Sequence, residues 1–117
     1  MEERKFEVVK EWKHKGKKCV IVLVKWNLPK EITTLHDSYN GYVETTLNQP
    51  YDVVDVRVHG GLTFGFGNII SVNIKGKFYG FDTGHYNDKG ITHRDINYMT
   101  KECERLAEQL IKIEEGK

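Results

Sequence analysis

Apolar positions follow two regimes along the chain: clustered or alternating up to Phe81, then spaced at steps of three and four after residue 90. Phe6 to Trp12 and Cys19 to Trp26 are apolar runs on either side of a lysine-rich turn centred on Gly16, which predicts a β-hairpin over 5–26. The second run, Cys19-Val-Ile-Val-Leu-Val24, is apolar at consecutive positions, so it is expected to be a central strand covered on both faces. Pro29 closes it. Residues 30–40 are polar and turn-like, with Asp37, Ser38, Asn40 and Gly41 in close succession. Gly41 introduces Tyr42 to Leu47, a run of strong β preference, and Asn48 to Tyr51 makes the next loop. Val53, Val54, Val56 and Val58 predict a strand running directly into His59. Ile69 to Ile74 and Lys77 to Phe81 predict a second hairpin around Lys75-Gly76.

Further on the period changes. Ile96, Met99, Cys103, Leu106, Leu110 and Ile113 form the apolar stripe of an amphipathic helix over 93–114. Thr92 with Asp95 three residues on resembles a capping box. The expected fold class is therefore α+β: a mostly antiparallel sheet of about five to six strands, the central ones within 41–81, with one C-terminal helix packed on one face. No internal repeat or low-complexity segment interrupts this pattern.

Composition narrows the picture. A chain of 117 residues has room for one domain, 1–117, and a domain of this size buries roughly 65% of its unfolded surface, enough for one modest core. Hydrophobic residues at 38% and charged residues at 30% are those of a globular chain, not a disordered one. A net charge of +1 argues against a protein that neutralises a nucleic-acid backbone. The charge is uneven, since residues 1–30 hold nine basic side chains against four acids, with Lys13, Lys15, Lys17 and Lys18 around Gly16. A solvated turn explains that cluster most simply, and a phosphate-attracting rim is the other reading. Cys19 and Cys103 are too few and too far apart for a disulfide scaffold or a metal motif, so each is expected to be a small buried hydrophobe. No apolar run is long enough for a membrane span or a signal peptide, and the expected location is the cytoplasm.

The candidate chemistry lies in two glycine-flanked motifs, His59-Gly60-Gly61-Leu62-Thr63-Phe64 and Gly80-Phe81-Asp82-Thr83-Gly84-His85-Tyr86-Asn87-Asp88. Glycines beside polar residues at a strand end indicate positive φ or a close backbone approach. The first motif can turn the amides of Gly60 and Gly61 toward an anion, with Thr63 beside them, although a bulge or tight turn needs the same glycines. The second sets Asp82, His85 and Asp88 at steps of three, which suits a divalent metal or a carboxylate-oriented imidazole. His59 is then a possible partner, with His93 and Asp95 more distant. Turn-capping by Asp82 and a structural role for His85 are the plainer alternatives. Neighbouring aromatics, Phe64, Phe66, Phe78, Tyr79, Phe81 and Tyr86, supply core and possible stacking surfaces for a nucleobase. No Gly-x-Ser-x-Gly elbow, P-loop or dinucleotide fingerprint is present, and no cofactor is identified beyond the possible metal.

The run His59-Gly-Gly-Leu-Thr-Phe64, then Gly80-Phe-Asp-x-x-His85-x-x-Asp88, then Tyr98-x-x-x-Glu102-Cys103-x-x-Leu106-Ala107-x-Gln109-Leu110, together with Asn40-Gly-Tyr-Val43, resembles a group of small uncharacterised proteins encoded by bacteriophages and prophages. The resemblance spans roughly residues 40–110 and leaves the N-terminal hairpin outside. It implies the cytoplasm of a bacterial host and a host-interaction role, with sequestration of a nucleotide immune signal as one form. The leading expectation is one pocket built from His59, Gly60, Gly61, Thr63, Asp82, His85 and Asp88 for a small anionic or nucleotide-like molecule. The alternatives are a small metal-dependent hydrolase using His59, Asp82, His85 and Asp88, and an interaction or structural module without a small-molecule site. A homo-oligomer is compatible with all three. A joint pocket requires the strands Val53–Val58 and Lys77–Phe81 to end side by side.

Overall fold

A computed structural model describes residues 4–26, 37–83 and 96–116. Among the described residues, five strands, β1 (Arg4–His14), β2 (Lys17–Trp26), β3 (Ser38–Glu44), β4 (Phe64–Ile69) and β5 (Ile74–Asp82), precede one helix, α1 (Ile96–Glu115). The strands form one antiparallel sheet in the order β1-β2-β3-β5-β4, and α1 packs across β2 and β3. The expected α+β class is what the chain adopts.

The N-terminal hairpin turns on Lys15 and Gly16 at φ 51° and 84°. Two positive φ values in a two-residue loop match the right-handed twist of the strands it joins. β2 is covered on both faces: Cys19 and Ile21 belong to the cluster beneath α1, and Val20 and Val22 to a second cluster on the opposite face. All four are fully buried. The major cluster adds Val43, Tyr79, Phe81, Met99, Cys103, Leu106 and Leu110. The minor one is closed by Tyr42, Phe78 and Ile69, with Val72 and Phe6 at its rim. A 3-10 turn at Ile70–Val72, between β4 and β5, lies against β1 although β4 and β1 are opposite edges of the sheet. The sheet therefore curls, and this hairpin end covers its second face.

One edge of α1 runs along β1. Lys10 Nζ donates to Thr100 Oγ1 at 2.9 Å, Trp12 Nε1 to Glu104 at 3.2 Å, and His14 Nε2 lies 2.8 Å from Glu108 Oε2. Two residues of strand advance about 6.7 Å and four residues of helix about 6 Å, so alternate strand residues meet every fourth helix residue when the elements run alongside.

Three expectations need correction, and one strand is added to them. β3 begins at Ser38, three residues ahead of Gly41, because Ser38, Tyr39 and Asn40 pair with Val24, Leu23 and Val22 between two full strands. Tertiary pairing there outweighs the turn preference of Ser and Asn. The strand expected over Val53–Val58 is absent: Tyr51–Val53 is a 3-10 turn, and residues 54–58 form an extended strap with no strand partner among the described residues. Its alternation is real, since Val54, Val56 and Val58 pack on the major cluster while Asp55 and Arg57 are exposed, but the partner is α1. The glycine-rich stretch after Thr63 is edge strand β4, with register shifts around Gly67. The second hairpin turns at Ile70–Asn73, where Asn73 takes φ 57°, and β5 runs straight through Lys75-Gly76. The Thr92 and Asp95 capping pair lies outside the described residues.

Candidate functional site

The strap places the first motif. Val58 is buried and its carbonyl accepts the N–H of Gly61 at 2.9 Å, closing a four-residue turn over His59 and Gly60. Gly60 has φ 68°, the left-handed value that the third position of a type II turn requires, and Gly61 follows at φ 78°. Two consecutive residues in that region explain the Gly-Gly pair. The turn consumes the Gly61 amide, so of the two amides expected to face an anion, that one is already engaged within the loop.

The chain then enters β4 beside the end of β5. Thr63 N–H donates to the Gly80 carbonyl at 2.9 Å, and Thr63 Oγ1 donates to Asp82 Oδ2 at 3.0 Å. The two motifs therefore meet, joined by Thr63. On the other side of β5, Thr83 and Tyr39 exchange backbone and hydroxyl hydrogen bonds at 2.9–3.2 Å, holding the end of β5 against β3. Gly80 lets this happen: a Cβ there would sit 2.7 Å from the Tyr42 ring.

α1 completes the surroundings. His59 Nδ1 and Tyr98 Oη lie 2.7 Å apart, with one hydrogen bond between them, and their rings meet edge to face with centroids 5.5 Å apart. The backbone N–H of His59 donates to Glu102 Oε1 at 2.8 Å, and the other carboxylate oxygen of Glu102 faces Arg105 Nη1 at 3.2 Å. Glu102 is only 8% exposed, yet both its oxygens are partnered, which is the condition for keeping a carboxylate buried. Two turns on, Gln109 Oε1 accepts the N–H of Arg57 and Gln109 Nε2 donates to the carbonyl of Arg57, each at 2.7 Å. The strap thus satisfies its backbone on helix side chains in place of a neighbouring strand.

Tyr98, Glu102 and Gln109 are the site's contribution from the helix, and no role was read for them in the sequence. Their signal lay in the spacing: Tyr98 and Glu102 at i and i+4 stand one above the other on one flank. His85 and Asp88 lie outside the described residues, as do His93 and Asp95. Among the described residues, no three His, Cys, Asp or Glu side chains come together as a metal-binding group. Cys19 and Cys103 are both fully buried and unbonded to each other. Burial pushes the Cys19 thiol up to about 12 and the Cys103 thiol well above its ordinary value, so neither is a thiolate nucleophile at neutral pH. No helix among the described residues is long and apolar enough to cross a membrane.

Comparison of the chain with protein-family models, curated proteins and solved structures finds no match in any of the three.

Proposed function

We infer that the protein binds a small anionic or nucleotide-like molecule at the junction of the His59–Thr63 loop, the end of β5 and the first turn of α1. The observation that carries this reading is the double hydrogen bond of Thr63, to the Gly80 carbonyl and to the Asp82 carboxylate, which unites two separate polar, glycine-flanked motifs at one end of the sheet. His59 with Tyr98 offers an imidazole and a phenol for an anionic group, and the exposed turn at Gly60 gives close backbone approach. Asp82 supplies an acceptor for a hydroxyl or ring N–H on the ligand. The resemblance to small phage and prophage proteins supports a host-interaction role in bacterial cytoplasm, of which sequestering a nucleotide signal is one form.

A thermal-shift panel of mononucleotides and cyclic dinucleotides tests the reading. At least one compound is expected to raise Tm in the native protein and to lose its effect in His59→Ala and Asp82→Asn. If no compound raises Tm, or both variants respond as the native protein does, the reading fails.

A further inference from the structure

A shallow groove of about 450 Å³ runs along the outer face of α1 beside the strap. Four cations line it: Arg57 from the strap, and Lys101, Arg105 and Lys112 from the helix. The three helical cations stand at i, i+4 and i+11, within about 40° of one line, and span roughly 16 Å at 1.5 Å per residue. Arg57 is held by its backbone, clamped on both sides by Gln109.

The acids in the same groove are engaged from elsewhere. Glu104 accepts from Trp12 Nε1 at 3.2 Å and lies 3.5 Å from His14 Nδ1, while Glu108 lies 2.8 Å from His14 Nε2 and 3.7 Å from Lys15 Nζ. The hydrogen bond from His14, with Lys15 beside it, holds the Glu108 carboxyl below the ordinary carboxylate range. Arg105 is paired with Glu102. Among the described residues, the side chains of Arg57, Lys101 and Lys112 have no carboxylate within 4.0 Å. Among the described residues, the groove lining sets four cations against two carboxylates, an excess of positive charge.

Size and charge select the ligand class. A volume of about 450 Å³ falls in the range of small-molecule sites, roughly 300–1,000 Å³. A long nucleic acid would need a far more basic protein than one of net charge +1. Gln109 has both ends of its amide occupied by Arg57 and Arg105, so the groove recognises charge and leaves any base to be recognised elsewhere. Arginine and lysine in line suit oxygens of successive phosphates, bidentately at the guanidinium.

We propose that this groove holds the phosphate chain of a polyphosphorylated small molecule. The proposal rests on the ligand-binding reading above, and the hydrogen bonds that Glu102 accepts from His59 N–H and from Arg105 Nη1 make groove and loop contiguous. The remainder of such a molecule lies toward His59 and Asp82.

The test is calorimetric titration of the full chain with inorganic tripolyphosphate and with ATP, at low and at physiological salt. Tripolyphosphate is expected to bind one to one, more weakly as salt rises. Lys101→Gln with Arg105→Gln is expected to raise its Kd about tenfold or more, as loss of charge-assisted contacts does. The control pair Lys25→Gln with Lys75→Gln removes the same charge from exposed sites outside the groove lining and is expected to leave Kd within about twofold, given screening over a Debye length near 8–10 Å. Unchanged melting curves establish that each pair folds. If tripolyphosphate does not bind, or both pairs weaken it equally, the groove is overturned. If ATP binds no better than tripolyphosphate in the native protein and Asp82→Asn changes neither, the groove stands and the nucleotide reading of the loop falls. If ATP binds and the Lys101 and Arg105 pair is indifferent, the loop stands and the groove falls.

Discussion

Gln109 and Arg57 face each other as two strand residues would, with the side-chain amide of one accepting from the N–H and donating to the carbonyl of the other, both at 2.7 Å. A helix side chain here replaces the neighbouring strand that the Val54–Val58 segment lacks, and the strap it secures carries His59 to its position.

Gln109→Ala removes both bonds at a partly exposed position. Each is worth about 0.5–1.5 kcal/mol, so a loss of about 1–2 kcal/mol in unfolding free energy is expected. Native-state hydrogen exchange should show faster exchange at Arg57 and His59 while the amides of β2 keep their protection.

At the far end of α1, Glu114 accepts from Lys17 Nζ, Thr45 Oγ1 and Thr46 N–H at 2.6–3.1 Å. Burial pushes this carboxyl up, but the bonds from Lys17, Thr46 and Thr45 outweigh it and hold the group below its ordinary 4.5. A carboxyl depressed in the folded state contributes stability that is present above the unfolded value and lost as pH falls through the folded one. Denaturant unfolding as a function of pH should therefore show stability declining below about 4.5, with a shallower decline in Glu114→Gln.

How much of this was legible in the sequence depends on what each segment bonds to. Cys19 to Val24 is central and covered on both faces, as its unbroken apolar run implies, and the stripe from Met99 to Leu110 is the buried face of α1. The alternation of Val54, Val56 and Val58 was legible too, but periodicity reports which side chains turn inward and not what the backbone bonds to, and here the partners are Gln109 and Glu102. β4 was hidden because Gly65 and Gly67 resemble a loop; they permit an irregular edge strand, and a Cβ on Gly65 would run into the Tyr79 ring. Within the site, the meeting of Thr63 with Asp82 depends on β4 pairing with β5, a contact across nineteen residues that no local pattern records.

Gly41 shows the same close approach inside the core, where an added Cβ would lie 2.6 Å from the Phe81 ring and 2.9 Å from Cys103 Sγ. Gly41→Ala is expected to cost about 1–3 kcal/mol by overpacking. Adding Phe81→Leu should recover part of that loss in chemical denaturation, because the leucine withdraws the ring atoms in conflict. A double variant no more stable than the sum of its parts would place the strain elsewhere.

Cys19 and Cys103 are expected to resist modification. With both thiols buried and pushed up, a disulfide-exchange reagent at pH 8 should modify neither in the native protein and both in denaturant, at a native rate set by unfolding.

The proposed ligand site joins the His59–Thr63 loop, the end of β5 and the start of α1. Amide chemical shifts followed during titration with whichever nucleotide gives the largest rise in Tm test it most directly. Saturable shifts concentrated at Gly60, Gly61, Thr63, Asp82, Thr83 and Tyr98 are expected, with the amides of β1 unmoved. Saturable shifts confined to β1, β2 or the 45–53 loop, with those six residues unmoved, would contradict it.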